Sequence, residues 1–172
     1  NFEGTRAAAT DAVTITQFIA GQYDLSVNWR DVEWFKSVWG GPVLLKGILT
    51  AEDARLAVDH GADGVIVSNH GGRQLEGAIS AVQALPEIAA AVGHELEVIL
   101  DGGIRRGADV VRARALGAKA CMIGRAWLYG LASGGQSGVE RALEILRAEI
   151  DITLTLLGRP PLAAIDRSSL IE

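Results

Sequence analysis

The string Ser68-Asn69-His70-Gly71-Gly72-Arg73-Gln74-Leu75 sets an imidazole, two glycines and a guanidinium directly behind the apolar run Gly64-Val65-Ile66-Val67. An imidazole, whose ordinary titration lies near neutrality, can take a proton, and a guanidinium three residues on can grip a carboxylate through two parallel hydrogen bonds. The intervening glycines open room for a ligand. The chemistry these types suggest is removal of a proton from a small carboxylate, with His70 as base and Arg73 as the substrate-binding cation. His60 beside Gly61 and His94 in a loop have ordinary structural explanations.

Three other strand-like runs end in polar equipment. Pro42 to Leu45 is followed by Lys46-Gly47, Glu97 to Leu100 by Asp101-Gly102-Gly103-Ile104-Arg105-Arg106-Gly107, and Ala120 to Ile123 by Gly124-Arg125. Lys46 reads as a point positive charge near whatever becomes anionic during reaction. The last two ends read as a phosphate site. Glycine backbone at Gly103 and Gly124 can approach an anion, helix N-termini favour negative charge, and Arg105 and Arg125 can fork onto phosphate oxygens. Either end alone is equally consistent with a tight turn carrying a solvated arginine; their combination favours the anion site.

Elements that bring these ends together follow from the pattern. From Pro42 onward, short apolar runs alternate with glycine-bearing turns and helical stretches, which is βα logic. Near-continuous apolar runs predict strands of a parallel sheet, buried on both faces. Chemistry in such folds gathers at the carboxyl ends of the strands. Thr50 with Asp53 three residues on predicts a capped helix that stops before Gly61. Ala78 to Val92 predicts a helix kinked or split at Pro86. Gly107 to Leu116 predicts another, closed by Gly117, and Gly138 to Leu156 the last and longest. Upstream, Asn28 to Asp31 predicts a cap for a helix whose Val32, Phe35, Val38 and Trp39 share a face, with the tryptophans in the core. Residues 1–25 show no clear period and read as a loop segment.

Composition narrows the function. The chain has 172 residues and a formal net charge of -5, with no basic run, so small molecules are expected as partners and nucleic acid is not. The lone Cys121 sits in an apolar run and reads as a small buried hydrophobe; a reducing, cytoplasmic setting fits it. No stretch has the roughly 20 apolar residues of a membrane span. No metal site is expected. Four βα units cannot close an eight-fold barrel, which needs about 250 residues. They form either an open sheet or half a barrel, and the motifs favour the half barrel.

The strings VLLKG, SNHGGRQL, DGGIRRG and IGRAWLYG, in this order and spacing, resemble the FMN-dependent 2-hydroxy acid oxidases and dehydrogenases, a family including glycolate oxidase, flavin-type L-lactate dehydrogenase and (S)-mandelate dehydrogenase. The resemblance covers essentially the whole chain. It implies an α/β fold of the TIM (β/α)8 barrel type with FMN at its carboxyl face, residues 26–172 supplying strands five to eight. It implies that His70 is the catalytic base, that Arg73 binds the substrate carboxylate, and that Lys46 faces the flavin and offsets the charge of its reduced form. It further implies Ser68 near the flavin, Asp101 on the ribityl chain, and Gly103, Arg105, Gly124 and Arg125 on the FMN phosphate. The activity implied is oxidation of an (S)-2-hydroxy acid, lactate- or mandelate-like, to the 2-keto acid. Electrons would pass to oxygen, a quinone or a cytochrome, and the assembly implied is a homo-oligomer, often a tetramer.

Glu76 stands where the family commonly has aspartate. The family's active-site tyrosines and the aspartate that orients the histidine precede this region. The opening segment matches a loop that mediates membrane association in some bacterial members, so localisation is expected to be cytoplasmic or peripheral at the inner membrane, with Phe18 and Ile19 compatible with the latter. The competing readings are a half barrel that binds phosphate or FMN without turnover, and a different enzyme on a phosphate-binding flavin barrel.

Overall fold

The computed structural model describes residues 20–158 and 161–170. Their main elements are α1 (Arg30–Trp39), β1 (Leu44–Ile48), α2 (Ala51–Asp59), β2 (Gly64–Val67), α3 (Ala81–Val92), β3 (Glu97–Asp101), α4 (Gly107–Ala115), β4 (Ala120–Met122) and α5 (Arg125–Leu156). Most of the expected 1–25 loop, Phe18 and Ile19 included, lies outside the described residues.

The four strands form one parallel sheet in chain order, β1-β2-β3-β4. Parallel neighbours need a crossover, and α2, α3 and α4 supply the three. The core lies between sheet and helices: Val65, Val67, Val98 and Leu100 from the strands belong to one buried cluster with Leu85, Ile88 and Val92 from α3. Burial of each such side chain contributes about 1.5–3 kcal/mol. Only the interior strand β2 is buried along nearly its whole length. In β1 and β4, at the sheet's two edges, Leu44 and Met122 are exposed, and β3 begins on an exposed Glu97, so the expectation of strands covered on both faces holds for β2 alone.

Local signals set most helix ends. Thr50 Oγ1 accepts the Asp53 amide at 3.1 Å, starting α2. Asp31 Oδ2 accepts the Asn28 amide at 2.6 Å while Asn28 Oδ1 accepts that of Arg30 at 3.1 Å, starting α1. On the apolar face of α1, however, only Val32 is buried; Trp34, Phe35, Val38 and Trp39 are exposed, which corrects the expectation of core tryptophans. Periodicity reveals an apolar face but not what covers it. Trp29 is partly buried and stacks on the His60 ring, whose Nδ1 lies 2.7 Å from Glu33 Oε1.

α3 is one helix that contains Pro86, rather than two, and it starts after Ser80. The carbonyl deprived of a donor by Pro86 belongs to Val82, an exposed residue, where water can serve it. α5 starts at Arg125, well before the expected Gly138, and breaks at Gly134 and Gly135, whose backbone is not helical. Gly130 and Gly138 then meet so closely that a Cβ on either would collide with the other's backbone. Small residues thus fold α5 back on itself, which sequence periodicity could not reveal.

Candidate functional site

β1 delivers Lys46 immediately before an irregularity. Lys46 pairs with Ile66 and Ile48 with Val67, so Gly47 is an extra residue in the strand, at φ +106°. Lys46 was expected just past a strand end; the strand instead runs through this bulge to Ile48. Its Nζ lies 2.8 Å from Asp101 Oδ2, at the end of β3, and donates to Ser68 Oγ at 3.0 Å. Ser68 is fully buried just past β2; its hydroxyl donates to Asp101 Oδ2 at 2.6 Å and also accepts the His70 amide at 3.1 Å.

One hydroxyl therefore joins three strand ends and saturates its own donor and acceptors. Burial opposes ionisation of Asp101 and is the largest single influence on it. The hydrogen bonds from Lys46 and Ser68, with electrostatic attraction to Lys46 and, least, to His70, outweigh that effect and hold the carboxyl below its usual range. Lys46 is thus a paired cation that uses two of its three donors among the described residues.

The loop after β2 is wound left-handed. His70, Gly71 and Gly72 have φ of 55°, 71° and 72°. Glycine adopts this freely, but a bulky side chain there costs about 1–3 kcal/mol, a strain that clusters at functional sites. Asn69 braces the turn: its Oδ1 accepts the Gly72 amide at 3.2 Å and its Nδ2 donates to Ile79 O at 3.3 Å. The His70 ring lies over Gly47, and among the described residues it has no hydrogen-bond partner.

The expected phosphate site divides in two. At the N-terminus of α4, Asp109 Oδ2 accepts the amides of Arg105 and Arg106, each at 3.0 Å, and Glu149 Oε2 accepts that of Gly107 at 2.8 Å. Two carboxylates of the chain itself occupy that helix end, which corrects the expectation that it is open to an anion. The start of α5 has no side-chain cap at Gly124. A Cβ at Gly103 or Gly124 would meet nothing within 4 Å, so both present bare backbone to open space. Arg73, Arg105 and Arg125 form no ion pair among the described residues.

Lys46, His70, Arg73, Asp101, Gly103, Arg105, Gly124 and Arg125 line one pocket of about 680 Å³. That size lies within the roughly 300–1,000 Å³ typical of ligand and cofactor sites. Ser68 lies beneath the pocket rather than in its wall. Bare glycine backbone, a free helix start and unpaired guanidiniums suit a phosphate group, and Lys46 with Asp101 supplies donors and acceptors for polar groups of a ring and chain. The residues present therefore fit FMN.

Several contributors escaped sequence reasoning. Tyr129 and Leu128 line the pocket because α5 starts early, and Gly47 matters only through the bulge. Asp109, three residues after Arg106, carried a capping signal that could have been read. Glu149, 42 positions from Gly107, carried none.

Residues 2–172 match the family model described as FMN-dependent dehydrogenase. A curated L-lactate dehydrogenase of Vibrio cholerae serotype O1 (strain M66-2) is 45% identical over 172 residues, 100% of this chain and 46% of the relative. The chain thus spans about half the length of the curated relatives it matches. The crystal structure of the monotopic membrane protein (S)-mandelate dehydrogenase superposes with a TM-score of 0.86 at 43% identity, covering 94% of this chain and 43% of that one. A mandelate oxidase holding an FMN adduct gives 0.79 at 49%, covering 82% and 45%. The four βα units are those of a partial TIM barrel.

Proposed function

The chain belongs to the FMN-dependent dehydrogenase family, and from that premise we propose that it carries the proton-accepting, substrate-binding and phosphate-binding residues of an enzyme that oxidises an (S)-2-hydroxy acid to the 2-keto acid. The observation that supports this best is the gathering of His70, Arg73, Lys46 and the glycine–arginine cradle around one pocket at the carboxyl ends of parallel strands.

Arg73 holds the substrate carboxylate through its planar fork, fixing which carbon faces the cofactor. His70 takes a proton from the substrate, its ring raised into the pocket by the left-handed turn. FMN, when bound, supplies the acceptor for the two electrons that leave the substrate carbon. Lys46, fixed by Asp101 and Ser68, sets a positive charge in the pocket wall. Gly103, Gly124, Arg105 and Arg125 hold the cofactor phosphate, and Asp101 the ribityl chain.

Anaerobic addition of (S)-lactate or (S)-mandelate to the FMN-loaded protein tests the reaction class. Bleaching of the flavin's visible absorbance is the expected result. A flavin that binds but is bleached by no 2-hydroxy acid favours a different reaction on the same barrel. The absence of a hydrogen-bond partner for the His70 ring among the described residues favours a second reading for this chain by itself, binding of FMN or phosphate without turnover. Spectra of the chain alone would then show bound flavin that no 2-hydroxy acid bleaches.

Among the described residues no helix is long and apolar enough to cross a membrane. Likeness to a monotopic mandelate dehydrogenase supports peripheral attachment to a membrane surface, which co-sedimentation with vesicles tests.

A further inference from the structure

Glu149 belongs to the second segment of α5, far in sequence from every residue assigned to the pocket, yet its carboxylate reaches the first turn of α4. Its Oε2 accepts the Gly107 amide at 2.8 Å, while Asp109 takes the two preceding amides. The approach is possible because residue 107 is glycine: a Cβ there would collide with the backbone of Glu149 and Ile150. The contact links the two halves of the phosphate cradle. Gly107 ends the loop that presents Gly103, and α5, which carries Glu149, begins at Gly124 and Arg125.

We propose that Glu149 is a positioning residue for the phosphate cradle. By holding the Gly107 amide it fixes the loop 102–107 against α5, so that Gly103 and Gly124 face the same anion at a set separation. By filling the N-terminus of α4 it also leaves the start of α5 as the open helix end in the pocket, which directs the phosphate there. The inference rests on the reading of this pocket as an FMN site.

The test compares affinity of the purified protein for FMN and for riboflavin, which lacks only the phosphate, by flavin fluorescence. In the unaltered protein FMN binds more tightly. Glu149→Ala weakens FMN binding on the order of tenfold and leaves riboflavin binding unchanged, because a buried donor loses its acceptor only at the phosphate end. Glu149→Gln, which keeps an acceptor oxygen without the charge, stays within about twofold of the unaltered protein. Should the alanine variant not fold, Glu149→Asp, with its carboxylate one carbon shorter, is read in the same way.

Equal weakening toward both flavins, or no weakening, would overturn the role of Glu149 and leave the cradle standing. Tighter FMN binding in both the alanine and glutamine variants would also overturn it, marking the carboxylate as simple repulsion. No preference for FMN over riboflavin in the unaltered protein would instead overturn the cradle, and the inference with it.

Discussion

The His70 imidazole covers Gly47, with Nε2 2.8 Å from the point where a Cβ on that glycine would stand. The extra residue of the β1 bulge, immediately after Lys46, thus leaves the space in which the ring rests. Gly47→Ala would set a methyl against the ring at a backbone angle, φ +106°, that costs a side chain about 1–3 kcal/mol. We expect at least a tenfold loss of substrate-driven flavin reduction with FMN affinity little changed. The check is a stopped-flow trace beside a flavin titration.

The Lys46–Asp101–Ser68 cluster predicts a pH signature. Asp101 titrates below its usual range in the folded protein, so between the folded value and the unfolded value near 3.9 the unfolded chain binds more protons and stability rises with pH. The contribution is complete above about pH 4–5 and disappears as pH falls through the folded value. Asp101→Asn should cost about 1–2 kcal/mol at neutral pH, a figure reduced for the partial exposure of Lys46. Denaturant titrations of the two proteins should draw together only as pH falls through the folded value of Asp101, below the usual carboxylate range.

Cys121 gives a prediction of inertness. Burial, with the nearby Asp109 charge, pushes its thiol up to about 11. A disulfide reagent at neutral pH should leave it unlabelled in the folded protein and label one thiol on denaturation, the chain having a single cysteine. Rapid labelling of the native state would contradict the packing of the partly buried Cys121 against the core.

How far the sequence could be read depended on the range of each interaction. β2 over Gly64–Val67, the Thr50 cap and the helix end before Gly117 were legible because each is set by neighbours within a few residues. That Lys46, His70, Arg73, Asp101, Gly103, Arg105, Gly124 and Arg125 line one pocket was legible because the carboxyl ends of parallel strands lie on one edge of the sheet. Features made by distant contacts were not: the bulge at Gly47 that follows Lys46 in β1, the fold-back of α5 through Gly130 and Gly138, and the Glu149–Gly107 bond depend on register and on helices meeting across the fold. The exposed face of α1 failed for a related reason, because amphipathic spacing around Val32 carries no information about its partner.

The rate of anaerobic flavin reduction by (S)-lactate or (S)-mandelate in the FMN-loaded protein, compared with that of its His70→Ala variant, tests the role of His70 most directly. Removal of the base should slow reduction by roughly 10²–10⁴-fold while FMN stays bound. Reduction at a near-normal rate in the variant would contradict the assignment of His70, and with it the mechanism built on this pocket.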